Sequence, residues 1–231
     1  MVHCIRHSST PAVPRIFLAC LLVACGLTTL AVRAAEAPWV GETLDGLECS
    51  GGGTGYGPYD YTHHVDRRRR LPIVERHHFT PKVASLQGGE SGALLPDIDY
   101  TLRAFPNHHA ALFSIIRLYT RTPRDPGVDN WRTPPECYLQ RALHFAPRDS
   151  GAYLLYGIYL HRKGRLEQAE AMYRKSLELD PDSAEAHYNL GLLLLDRNEY
   201  EAARAEARSA YAKGYPLPGL RSRLTSAGYP P

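Results

Sequence analysis

Residues 150–183 read SGAYLLYGIYLHRKGRLEQAEAMYRKSLELDPDS, and residues 184–217 read AEAHYNLGLLLLDRNEYEAARAEARSAYAKGYPL; the two 34-residue windows align without a gap. Ala152 matches Ala186, Gly157 matches Gly191, Leu160 matches Leu194 and Ala169 matches Ala203. Tyr156 pairs with Leu190, Gly164 with Asn198, Leu166 with Tyr200, and Pro181 with Tyr215. A fixed period of this size marks a stacked architecture, in which each unit buries its apolar side against the next. Within a window the apolar positions recur at helical spacing. Gly164 and Asn198 are residue types that accept a left-handed conformation, so each ends one helix and turns into the next. Asp180 precedes Pro181 and is pushed out of the helical region. Asp182 with Glu185 then reads as a cap and its capping-box partner. Gly157 and Gly191 fall mid-helix, where glycine costs about 1 kcal/mol relative to alanine. That cost is offset if the partner helix comes close there, with Ala169 and Ala203 as the expected facing residues.

The period continues upstream with one disturbance. Pro106 lies 41 residues before Pro147, and the excess of seven sits in the Pro/Gly/Asp-rich loop 122–133. Leu112, Ile115, Ile116 and Tyr119 keep helical spacing after Asn107, a candidate cap, and Pro134-Pro135 suits the first turn of another helix. Residues 93–105 form one more half-repeat, with Ile98, Leu102 and Phe105 on its apolar side. After the last repeat, 218–231 holds a short polar helix able to close the stack. The expected fold is all-α: about eight helices from 93 to 228, preceded by an irregular arm.

The series Tyr153-x2-Tyr156-Gly157-x2-Leu160, Ala169-x3-Tyr173, Pro181 resembles the tetratricopeptide repeat, a helix–turn–helix unit. The match is closest over 150–183 and 184–217, and 93–149 is a degenerate version of it. DIDYTLRAFPNHH (97–109) and GYPLPGLRSRL (214–224) are similar to a group of small exported bacterial proteins of that class. The resemblance implies a scaffold that binds other proteins and catalyses nothing. It also implies a groove lined by the first helix of each pair, presenting Leu154, Ile158, His161, Tyr188, Leu192 and Leu195. Asn189 is a further candidate contact, because some members of the class grip a peptide backbone with an asparagine there. Such a groove either takes a segment of a partner or is filled by the protein's own chain.

Residues 1–34 read as an export signal: Arg6 and Arg15 lead an uncharged run over 16–32, and small residues follow. Three outcomes stand open. The signal is cleaved after Ala34; or Leu22-Val23-Ala24-Cys25 acts as a lipobox and Cys25 is acylated; or the segment is kept as an anchor. The expected address is the periplasm or another site outside the cytoplasm, with membrane contact only through that N-terminal lipid or anchor. Export leaves Cys49 and Cys137, which an oxidising compartment would pair into a disulfide; two separate thiols are the alternative.

Residues 35–92 do not follow the repeat. This arm is rich in glycine, proline and tyrosine, carries arginines at 67–70, and is too short to build a core of its own. It is expected to pack on the helical body, with the first-helix groove as one place for it. Leu71 to Glu75 reads as a short extended piece.

Charge and motifs exclude more than they assign. The chain has 27 basic and 24 acidic residues, and Arg6, Arg15 and Arg33 account for the whole excess, so the rest is balanced and mixed. A nucleic-acid partner, which needs a clustered positive surface, is not expected. Three His-His pairs (63-64, 77-78 and 108-109) diverge too far to share an ion. No zinc, calcium, phosphate-loop or nucleophile-elbow spacing occurs, so no cofactor, metal or catalytic residue is assigned. The expected function is an adaptor or assembly scaffold in the bacterial cell envelope. The alternative is a small-ligand or metal-binding periplasmic protein with its site between arm and groove.

Overall fold

The computed structural model describes residues 36–53, 55–90, 92–121 and 133–231. The signal region 1–34, Cys25 within it, and nearly all of the loop 122–133 lie outside the described residues. The described residues form eleven helices and no strand beyond an isolated bridge between Glu42 and Glu48. Eight of the helices make up the body: α4 (Leu94–Ala104), α5 (His109–Arg121), α6 (Pro135–Phe145), α7 (Ser150–Arg162), α8 (Leu166–Leu179), α9 (Ala184–Asp196), α10 (Tyr200–Ala212) and α11 (Gly219–Ser226). Three short ones precede them: α1 (His64–Arg69), α2 (Leu71–His78) and α3 (Pro81–Ala84).

α7 packs on α8 and α9 on α10, as the two 34-residue windows require, and α8 packs on α9 to stack the pairs. Gly164 and Asn198 make the turns with φ of +72° and +62°. Each lets the following N–H reach back into the helix, from Arg165 to the Leu160 carbonyl and from Glu199 to the Leu194 carbonyl, both at 2.9 Å. Asp149 caps α7 by accepting the Ala152 N–H. The cap of α9 is Ser183, which accepts the Ala186 N–H at 3.3 Å, and not Asp182. Asp182 sits one residue too early to reach that donor, and its carboxylate pairs with Lys213 instead.

Ala203 faces Gly191 as expected, its carbonyl 3.4 Å from a Cβ placed there, but the nearest atoms to both mid-helix glycines belong to larger side chains. A Cβ on Gly157 would stand 2.5 Å from the Tyr173 ring, so the bare backbone leaves room for that fully buried aromatic. In the next unit Ala207 stands where Tyr173 stands, and Gly191 would instead meet Leu220 of α11 at 2.6 Å. The closing helix thus supplies the bulk that its own repeat lacks.

α5 is capped by a ring. The Ala111 N–H donates to Nδ1 of buried His108, while Asn107 turns away to accept the Tyr61 N–H and to donate to Asp60 and Asp149. Upstream, 71–75 is helical and not extended. Pro72 sits in the first turn of α2, where a missing N–H is harmless, and Leu71 and Val74 share the buried side. α2 and α3 pack against α4, and α3 also against α5, so they fill the first-helix place ahead of α4 in two pieces.

The arm is fastened along α4 and α6. Cys49 and Cys137 form a disulfide, with 5.4 Å between Cα atoms. Gln140 exchanges hydrogen bonds with the Glu42 backbone, Glu136 accepts the Leu44 N–H, and Thr133 donates to the Ser50 carbonyl. Arg141, buried at the centre, donates to the Ala37 and Leu102 carbonyls and lies 4.8 Å from the Trp39 ring centroid. Burial lowers its pKa to about 10, which leaves the guanidinium charged at neutral pH. Further along, Tyr59 and Phe105 close a small second core with Leu71, Val74 and Ala104.

Candidate functional site

The residues expected to line a groove fall on α7 (Leu154, Ile158, His161) and α9 (Tyr188, Asn189, Leu192, Leu195), each the first helix of its pair. The 41-residue upstream offset carries 154 and 158 to Phe113 and Arg117 on α5. Those two residues extend the same face. The guanidinium carbons of Arg117 and of Arg162 from α7 stand 5.7 Å and 5.8 Å from the Phe113 ring centroid. Phe113 itself is 37% exposed. Applied one unit further upstream, the offset finds both residues from sequence alone.

The α9 end of this face is covered. Leu154, Ile158, Tyr188 and Leu195 are buried, while His161, Asn189 and Leu192 are half-buried. Tyr215 lies on Tyr188 with ring centroids 4.3 Å apart, and Gly219 sits close over the Tyr188 hydroxyl. The protein's own C-terminal segment therefore shields this end, and burial raises the Tyr215 phenol to about 12. Asn189 donates to the Glu185 carbonyl at 2.8 Å within its own helix.

The two ends differ electrostatically. At the C-terminal ends of α7 and α9, His161 meets Asp196 at 2.9 Å and Arg223 donates to the same carboxylate at 2.6 Å. Burial pushes the Asp196 carboxyl up, but the bonds from Arg223 and His161 outweigh it and hold it below the usual carboxylate range. Desolvation raises the Glu185 carboxyl, against the opposing charge of His109. The Arg162 guanidinium is held below its ordinary value, first by desolvation; the Tyr173 ring opposes this and the like charge of Arg117 adds to it. The described arm meets α4, α6 and α5, where the Ala84 carbonyl accepts from Ser114 and Arg117, while Phe113 stays exposed with Arg117 and Arg162 beside it.

Among the described residues, no three His, Cys, Asp or Glu side chains gather as a metal site. No described helix is long and apolar enough to cross a membrane.

The family model of the tetratricopeptide (TPR) repeat matches residues 157–198, which run from the middle of α7 to the turn after α9. The chain therefore carries the tetratricopeptide repeat. The TPR chain is 39% identical over 61 residues to the type IV pilus assembly protein PilF of Pseudomonas aeruginosa. That stretch covers 26% of this chain and 24% of PilF, so the chain spans about a quarter of that relative's length. Among solved structures, the thermophilic TPR protein TTC0263 of Thermus thermophilus is similar at 22% identity. That likeness covers 58% of this chain and 71% of that one, with a TM-score of 0.47. The MamA RS-1 ArsTM double mutant is 17% identical over 64% of this chain and 78% of that one, with a TM-score of 0.45.

Proposed function

We propose that this TPR protein is a non-catalytic adaptor or assembly factor of the bacterial cell envelope, and that it holds a protein partner on the first-helix face. The observation that carries the reading is the α5–α7 end of that face, where exposed Phe113 stands between Arg117 and Arg162. Stacked helical pairs offer an extended surface for recognition and do not converge titratable groups on a reacting atom. Similarity to part of a pilus assembly protein supports an assembly role. The envelope address rests on the signal pattern of residues 1–34 and on a buried disulfide that suits an oxidising compartment. On this reading 1–34 is the export signal, 35–92 the arm, and 218–231 the closing helix.

The test is affinity capture from the native envelope under gentle crosslinking, with the wild-type chain and a Phe113→Ala/Leu192→Ser variant as baits. A discrete partner held by the first bait and lost from the second is expected. Capture of no partner, or equal capture by both, would refute the reading.

A further inference from the structure

The balanced charge of the chain hides a local excess in the arm. Residues 64–78, which span α1 and α2, hold five arginines and two carboxylates. Histidines engage both carboxylates: Asp66 meets His63 and Glu75 meets His108, each at 3.2 Å. Arg67, Arg68, Arg69, Arg70 and Arg76 are exposed, and none forms an ion pair among the described residues. α2 turns Leu71 and Val74 into the second core, so its opposite side faces outward with Ile73 and Arg76. Ile73 is 51% exposed. Between the two helices Arg70 stays in the right-handed helical region, with φ of −108° and ψ of −42°. Helical spacing therefore runs from Arg69 to Ile73 to Arg76, and an exposed apolar side chain stands between two arginines on one face. Arg67 lies over the Tyr61 ring at 4.9 Å and Arg70 over the Tyr59 ring at 5.2 Å. Those rings also pack on His108 and Phe105. Each is thus covered on more than one side, a poor platform for stacking a nucleic-acid base.

We propose that the outer side of α1 and α2 binds an anionic phospholipid surface. Arg69 and Arg76 meet headgroup phosphates on either side of Ile73, whose side chain enters the acyl boundary. Arg67, Arg68 and Arg70 add attraction over a Debye length. Arginine stems lie along the apolar boundary while their charged heads stay in the polar layer. The joining of unpaired positive charge to an exposed apolar side chain is what favours lipid. A soluble polyanion satisfies only the charge, whereas an interface takes both parts. One isoleucine is a small insertion, so the contact is peripheral and reversible. It is independent of the partner held on the first-helix face, since neither Phe113 nor Leu192 lies on α1 or α2.

The Ile73→Trp chain, purified as its host processes it, tests this, because its added fluorescence over wild type reports α2 alone. We expect a blue shift on mixing with vesicles of about one-third phosphatidylglycerol in phosphatidylcholine, and none with pure phosphatidylcholine. About 0.5 M salt should abolish the shift. In the same background Arg69→Gln/Arg76→Gln should raise the lipid concentration at half-maximal shift about thirtyfold, as the loss of two surface-bound charges implies. Among the described residues neither arginine has a partner, so this variant is expected to stay folded. Arg69→Lys/Arg76→Lys keeps the charges and should keep most of the binding. Absence of a shift, an equal shift with neutral vesicles, or an unchanged midpoint in the glutamine variant overturns the proposal. Reversal of the shift by oligothymidylate or polyglutamate at equal charge overturns it too, and assigns this side to a nucleic acid or to an acidic protein.

Discussion

Tyr173 and Leu220 do the same job in successive repeats: each presses on a helix where glycine has left a gap. Glycine at 157 is there for contact, since a Cβ would stand 2.5 Å from a ring with no room to retreat. Gly157→Ala should therefore destabilise the protein by about 1–2 kcal/mol, the overpacking penalty exceeding alanine's better helix propensity. Tyr173→Leu in the same chain should recover part of the loss, as measured by urea unfolding in a double-mutant cycle. His108 acts at the same scale. Its Nδ1 accepts the Ala111 N–H, so Nε2 carries the proton that faces Glu75 at 3.2 Å. Burial holds its pKa below the ordinary value, although Glu75 pulls the other way and His109 adds to the lowering. The unfolded chain then binds more protons below about pH 6.5, so this contribution is complete above that pH and is lost as pH falls through the folded value. His108→Gln should flatten the decline of stability between about pH 7 and pH 5, read from urea midpoints. A slope equal to that of the wild type would exclude the assignment.

At the scale of elements, the sequence displays its repeats plainly and its arm poorly. Apolar spacing, Gly164 and Asn198 mark the ends of α7–α10 because those signals are local. α2 escapes the same reading because Pro72 and a short apolar run also suit an extended segment, and only packing on α4 decides between them. The α9 cap moves by one residue because Asp182 and Ser183 are both good caps, and Lys213, distant in sequence, claims the aspartate. The groove is legible in part. The offset of 34 finds the α7 and α9 residues, but their covering by Tyr215 and Gly219 depends on how the C-terminal segment folds back. Phe113 and Arg117 lie behind a seven-residue insertion, so the plain 34-residue period misses them and only the 41-residue offset reaches them. α11 is more than a polar lid, since Leu220 is wholly buried against Gly191. Leu220→Ala should cost about 3 kcal/mol and raise hydrogen exchange in α9 and α10 before α7 and α8. Uniform loss of protection would contradict this division of labour.

For the whole molecule, the arm is tied to the body by covalent, polar and apolar contacts over α4 and α6. The Cys49–Cys137 link joins residues 88 apart in sequence. On the chain-entropy model, Cys137→Ser should lower stability by about 4 kcal/mol. The remaining anchors at Glu136, Gln140 and Arg141 should keep the arm near its place, so binding on the first-helix face is expected to survive the loss. The central claim is that this face, at its α5–α7 end, is where a partner sits. A photo-crosslinking amino acid placed at Phe113, and in a second chain at exposed Arg208 on α10, tests it in the native envelope. The account predicts a discrete crosslinked partner from position 113 and none from 208. Crosslinks from 208 alone, or from neither position, would contradict it.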